Sequence, residues 1–398
     1  MSVASTPVID PVALTRDLIR RPSVTPADEG AMDVLERALT GLGFHCRRMK
    51  FGPASSSEAV GDQHFIENLY ARRGSASPNL CFAGHTDVVP TGSTDAWSSG
   101  PFEAEVRDGI LYGRGAVDMK GGIAAWVAAV SRILAEGEVP GSLSFLITGD
   151  EEGPALHGTK RVVQALMAEG EVIDACVVGE PSSQHALGDM IKIGRRGSLN
   201  TWITVHGKQG HVAYPDRAAN PVPVLARLVA RLADHTLDDG YEAFQPSNLE
   251  LTTLDVGNTA TNLIPAEARG RLNIRFNPNH TGESLMAWLN AEAGKAQAES
   301  GLRIELEHLH SGDAFLTQTG PFVTGVQDAV EAAVGRRPEA STTGGTSDAR
   351  FIRAMCPVLE LGLVGQTMHQ IDERAPVAEI EALAEVYRAV IGTYFARG

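Results

Sequence analysis

Short, almost wholly apolar runs recur through the first half of the chain, with segments of helical character between them. Residues 79–83, Ser142–Thr148 (SLSFLIT) and Ala175–Val178 each suit one buried strand. The segment 119–135 is Ala-rich with apolar spacing and 157–168 follows it, so both read as helices. A strand with no polar face needs cover on both sides. Alternation with helices supplies that cover and predicts an α/β fold with a mostly parallel sheet. Helices over 11–20 and 28–40, the second ended by Gly41 and Gly43, and strands over 44–51 and 65–71 complete this part. Residues 54–57 read as a short loop of small residues, and Trp126 on the Ala-rich helix reads as core.

The middle of the chain changes character. Residues 199–205 alternate like a half-exposed strand; a helix over 221–234, strands over 249–256 and 268–276, a helix over 282–300 and a strand over 302–309 follow. That order is βαββαβ, a ferredoxin-like α+β unit complete in itself. It predicts a lid or dimerisation domain at 197–309 inserted into a catalytic domain made of 1–196 and 310–398. The chain then returns to α/β, with a helix over 321–334, a strand over 357–363 and a helix over 378–396.

The formal charge of −15 argues against nucleic acid or an anionic membrane as partner, since both need basic patches. No run approaches the ~18 apolar residues of a membrane span. Residues 1–20 carry Asp10 and Asp17 and no basic start before an apolar stretch, so no secretory leader is expected. Four scattered cysteines without a CxxC spacing predict reduced thiols in a cytoplasmic protein.

Polar residues gather where the apolar runs stop. Residues 81–84 lead into His85-Thr86-Asp87, 146–149 into Asp150-Glu151-Glu152, and 177–179 into Glu180. Open α/β sheets place their sites outside the carboxyl ends of the strands, so three strands deliver His or Glu to one edge. Asp118 lies in a Gly-rich loop before the Ala-rich helix, and His369 follows the 357–363 strand. The loop is no dinucleotide cradle, because Gly113 and Gly115 are not followed by a third glycine at Asp118. Singly, an HxD or a Glu pair is ordinary surface; jointly, two histidines and three carboxylates are the donors for two divalent ions bridged by one carboxylate. Such a pair lowers the pKa of water and polarises a carbonyl. Glu151 and Glu152 point different ways, so one can bind metal while the other holds a proton.

The segments GHTDVVPTG (84–92), GRGAVDMKGG (113–122), TGDEEG (148–153), VGEPS (178–182) and MHQIDE (368–373) resemble, in order, the motifs of the di-zinc aminoacylase/carboxypeptidase family. The resemblance implies two Zn²⁺ per subunit, with Co²⁺ as a possible substitute. Asp118 would bridge them, His85 and Glu180 complete one site, and Glu152 and His369 the other. It implies Glu151 as general base and acid, Asp87 as the group orienting His85 through its other ring nitrogen, and a cis Asp118–Met119 peptide. His211 would cross from the lid to the active site of a second copy, making the protein a homodimer through the lid.

KIGRRGSL (192–199), GKQGHVAYP (207–215), TNLIP (261–265) and GGTSDARFI (344–352) are similar to the members of that family that cleave N-succinylated diamino acids. Sibling deacylases and carboxypeptidases remain the alternative. A small substrate with three carboxylates and one ammonium needs local cations, and arginine forks suit carboxylates. Arg195, Arg196, Arg275 and Arg350 are the candidates, with a structural ion pair the alternative for Arg196 and Arg350. Ser198, Tyr214, Asn262, Gly345 and Thr346 are expected to hydrogen-bond the substrate.

Overall fold

A computed structural model describes residues 7–52 and 65–397; the 54–57 loop lies outside the described residues. The chain divides into two compact units. The first runs to Ile193 and resumes over Thr317–Ser341 and from Ser347; the second comprises Gly194–Leu316 and Thr342–Thr346.

The first unit is built on a sheet of eight strands in the order His45–Phe51, Ile66–Arg73, Ser142–Thr148, Asn79–His85, Ala175–Val178, Val358–Glu360, Met190–Lys192, Glu339–Ser341. The four strands in the middle, from Ser142–Thr148 to Val358–Glu360, run parallel to their neighbours. Antiparallel pairings lie outside them, and the last pair at the far edge is parallel again. Asn79–His85 is buried along its whole length. From it the chain passes to one neighbour, Ser142–Thr148, and then crosses to the other, Ala175–Val178. The strand order reverses at Asn79–His85, which opens a crevice beyond its C-terminal end.

Helix Lys120–Glu136 is buried through most of its length, and its Trp126 is fully buried. The Trp126 ring stacks on Phe82 at 4.8 Å and meets Tyr387 edge-on at 4.8 Å. Its N-terminus comes close to the sheet because Gly122 lacks a side chain: a Cβ there would lie 2.7 Å from the Gly179 carbonyl oxygen. Gly179 directly precedes Glu180.

The second unit is an antiparallel sheet in the order Asn248–Asp255, Glu267–Phe276, Gly197–His206, Ile304–Gly312. Helices Val222–Ala233 and Gly282–Ser300 carry Leu225, Leu228, Leu285 and Leu289 into a core with Leu199, Ile203, Leu272 and Ile274. Alternate residues of Glu267–Phe276 are buried, as a sheet with one covered face requires. Its chain order and strand order are those of the ferredoxin-like unit.

A single carboxylate ties the loop before the edge strand. Asp238 accepts from the Gly240 amide at 2.7 Å and from Asn277 Nδ2 at 2.6 Å, and its other oxygen lies 3.1 Å from His280 Nε2. Burial pushes its pKa up, but hydrogen bonds from Ser247, Asn277 and the Gly240 amide outweigh this and draw it down to about 2.

Two outcomes follow from this packing. Gly122→Ala is expected to cost about 1–3 kcal/mol through overpacking, read as a lower urea midpoint; an unchanged midpoint would mean the helix can retreat freely. Asp238 ionises in the folded protein below its unfolded value of about 3.9. Its contribution is therefore present above about pH 4 and lost as pH falls towards 2. Asp238→Asn should flatten that acid limb in denaturation curves taken across the range, and an unchanged limb would remove Asp238 from the account.

Candidate metal centre

The parallel strands end together, and their last residues bring the charged groups to one edge. His85 closes Asn79–His85, Glu151 and Glu152 follow Ser142–Thr148, and Glu180 follows Ala175–Val178. Asp118 arrives from the loop before helix Lys120–Glu136, where the Asp118–Met119 peptide is cis. His369 comes from the segment after Val358–Glu360 and holds a left-handed backbone, φ 62°.

Asp118 stands at the centre. Its Oδ1 lies 3.1 Å from His85 Nε2 and its Oδ2 lies 3.3 Å from His369 Nε2. Glu180 Oε1 is 3.6 Å from His85 Nε2, and Glu152 Oε1 is 2.8 Å from His369 Nε2. The donors fall into groups whose ligand atoms all lie within 4.8 Å: His85, Asp118 and Glu180; Asp118, Glu152 and His369; and His85 with Glu151 and Glu152. The first two share Asp118, and each keeps one of its oxygens. Imidazole and carboxylate without thiolate suit a first-row divalent ion.

The electrostatics agree. Burial pulls His85 towards the neutral form, yet the Asp118 hydrogen bond and the Glu180 charge hold its pKa well above normal. Hydrogen bonds to Asp118 and Glu152 push His369 up to about 10. Burial lifts Glu151 and Glu180 well above the ordinary carboxylate range, and neighbouring carboxylates add to it. Asp118 goes the other way: burial opposes its charge, but the two histidines hold it ionised. The result is a concentrated negative field at a mostly buried point, of the kind a divalent cation neutralises.

Asp87 does face the other ring nitrogen of His85, and its backbone makes the contact. His85 Nδ1 lies 2.9 Å from the Asp87 backbone carbonyl and 3.7 Å from its carboxylate. The carbonyl therefore sets the imidazole and leaves Nε2 free to face the centre. The fully buried carboxylate instead accepts from the Glu151 amide at 3.2 Å and the Glu152 amide at 3.0 Å. It shapes the turn that carries both glutamates, and burial pushes its pKa up to about 7.

Of the remaining site residues, all but Arg350 belong to the second unit, where all but Arg196 form three groups. His211 is exposed, its ring centroid 5.7 Å from that of Tyr214, and the Asn262 carbonyl accepts from the Val212 amide between them. Arg195 is buried, donates to the Thr343 carbonyl at 3.1 Å and packs where Gly344 has no Cβ, beside Gly345 and Thr346. Ser198 is buried opposite Arg275 across two strands and accepts from Asn273 at 3.2 Å. Arg196 donates to Asn248 at 2.9 Å, and Arg350, in the first unit, lies 4.0 Å from Asp348.

A sequence profile of Peptidase family M20/M25/M40 matches residues 81–393. The chain belongs to this family. The succinyl-diaminopimelate desuccinylase of Caulobacter sp. (strain K31) is 64% identical over 99% of this chain and 99% of its own length. That of Maricaulis maris (strain MCS10) is 57% identical over 98% of this chain and 97% of its own. Among solved structures, an M20 family metallo-carboxypeptidase from Sulfolobus solfataricus superposes with a TM-score of 0.81 at 16% identity, covering 97% of this chain and 99% of that one. The Bacillus subtilis YXEP protein, described as a dinuclear metal binding peptidase of the M20 family, gives 0.70 at 15% identity, covering 96% and 97%. These two share the M20 fold with this chain.

Two members of this M20 chain's site carry no role in the motif reading. Arg114 and Glu373 form a fully buried ion pair at 2.8 Å behind Asp118. A signal existed: each is a charged residue inside a motif, GRGAVDMKGG and MHQIDE, that also supplies a member of the cluster. Their partner lies more than 250 residues away in sequence, so only folding reveals the pair.

Asp87→Asn keeps the volume but replaces one acceptor oxygen with a donor against an amide N–H. It is expected to cost about 1–3 kcal/mol, measured by chemical denaturation of metal-free protein; full stability would mean that the turn holds without the carboxylate.

Proposed function

We propose that this chain hydrolyses N-succinyl-LL-2,6-diaminopimelate to succinate and LL-2,6-diaminopimelate, a step of lysine biosynthesis by the diaminopimelate route. The observation that carries the reading is the near-full-length identity, 64%, to a protein named succinyl-diaminopimelate desuccinylase. The site supports it through its chemistry: a carboxylate shared by two imidazoles, two further carboxylate ligands, and one glutamate left over.

We assign His85, Asp118 and Glu180 to one divalent ion and Asp118, Glu152 and His369 to the other, with zinc as the resident metal and cobalt as a working substitute. Bound there, the ions supply Lewis-acid polarisation of the amide carbonyl and acidify the attacking water. Glu151 takes a proton from that water as its oxygen adds to the acyl carbon. It returns the proton to the amine nitrogen as the C–N bond breaks. A carboxyl group whose proton affinity burial has raised suits this shuttle, since it holds a proton more readily than an ordinary glutamate.

The substrate's carboxylates need fixed cations in a protein of formal charge −15. Arg195 and Arg275 serve them in this reading, with Ser198, Tyr214, Asn262, Gly345 and Thr346 supplying hydrogen bonds. Two copies pair through the second unit. The exposed Leu254 on its edge strand and the exposed His211 support this, and His211 then stabilises the oxyanion of the second copy's substrate. No described helix is long and apolar enough to cross a membrane, and we place the reaction in the cytoplasm with the rest of the biosynthetic route.

Zinc-loaded protein should be assayed on N-succinyl-LL-2,6-diaminopimelate beside N-acetylornithine, with Glu151→Gln as control. Turnover of the succinyl substrate, falling by roughly 10²–10⁴-fold in the control, is the expected result. Preference for N-acetylornithine would overturn the substrate, and activity retained by Glu151→Gln would overturn the proton shuttle.

A further inference from the structure

We infer that Arg114 and Glu373 are positioning residues that preset the Asp118–Glu152–His369 half of the metal centre. The inference rests on the two-ion reading above and adds residues that bind no ion themselves.

Three segments that bear ligands meet at this pair. Glu373 Oε1 accepts from the Val117 amide at 3.0 Å and the Asp118 amide at 3.2 Å, while Oε2 pairs with Arg114 Nη1 at 2.8 Å. Arg114 Nη1 also donates to the Gln370 carbonyl at 3.1 Å, and Nη2 to the carbonyls of Pro90 at 3.3 Å and His369 at 3.5 Å. The Gly113 amide donates to the Glu373 carbonyl at 2.9 Å. The guanidinium lies 5.3 Å from the Trp97 ring centre. One ion pair thus fastens the loop after His85, the loop ending in Asp118 and the segment carrying His369.

Stability alone is a poor reason for this arrangement. Removing two charges from water is costly, and apolar side chains of similar volume often serve as well or better. What an apolar pair cannot do is accept two backbone amides and donate to three carbonyls. Those hydrogen bonds orient backbone, and orientation is what a ligand set needs.

The two halves of the centre depend on the pair unequally. His85 sits at the end of a buried strand, and the Asp87 carbonyl holds its ring. Glu180 also comes one residue after a buried strand. His369 is half exposed, lies on no strand and takes φ 62°, a conformation that persists in a non-glycine residue only where surroundings impose it. Arg114 holds its carbonyl and the next one, Glu373 anchors the same segment, and Ser98 takes the Asp372 carboxylate at 2.8 Å.

The test is zinc titration by calorimetry into metal-stripped full-length protein, with thermal melting of the same samples. Wild type, Glu373→Gln, the double variant Arg114→Met/Glu373→Met and His369→Ala are compared, the last to mark which binding step is the His369 site. Wild type is expected to bind two ions. In Glu373→Gln and the double variant, the step lost in His369→Ala should weaken by about 10–100-fold and the other by clearly less. The melting curves show whether each variant is folded at the temperature of the titration. Wild-type affinity at both steps in either folded variant overturns the inference, as does equal loss at both. If the double variant does not fold, Glu373→Gln decides by the same criterion. A wild-type protein that binds fewer than two ions defeats the two-ion reading instead.

Discussion

A carboxylate buried between two imidazoles is the constraint around which the first unit is organised. Asp118 turns one oxygen to His85 and the other to His369, and it keeps its charge in a place where water is largely excluded. Such a group is tolerable only with partners held in place on both sides. The parallel strands meet that demand on one side by ending in register, so that His85 and Glu180 issue from neighbouring strands. On the other side His369 lies on no strand, and its segment is fastened through Arg114 and Glu373.

The carboxylates at this edge divide by what they face. Asp87 and Glu373 accept backbone amides and shape the turns that carry Glu151, Glu152 and Asp118. Glu152 and Glu180 point at imidazoles, while Glu151 lies among them with its proton affinity raised by burial. The division explains how a site with so many acids can be stable. Those that take N–H donors from the backbone are part of the frame, and those that do not are available to a cation.

The second unit obeys a different logic. Its sheet has one covered face, so alternate residues of each strand are free to carry polar groups. Ser198 and Arg275 stand opposite each other on adjacent strands, and Arg195 is held by the Thr343 carbonyl of a short segment that rejoins this unit late in the chain. Fixed cations in an acidic protein are thus set by strand register and by one returning loop.

Much of this was legible in the amino-acid sequence. Period and composition determine element type, since a strand buried on both faces must be apolar throughout and a helix on a sheet must repeat its apolar residues. Ser142–Thr148, Ala175–Val178, Gly282–Ser300 and Pro321–Val334 fall where the pattern puts them. Short pairings such as Gly210–His211 with Leu263–Ile264, and the small sheet of Glu105–Arg107, Ile110–Tyr112 and Arg374–Pro376, leave no such pattern because two or three residues make no period. The chemical inventory of the site was equally visible, because polar residues interrupting apolar strands need a reason. Tertiary structure alone decided which oxygen faces which nitrogen, that the Asp87 carbonyl rather than its carboxylate sets His85, and that Arg114 meets Glu373. Those are relations between backbone groups distant in sequence, and a linear pattern carries residue types but not the directions in which their atoms point.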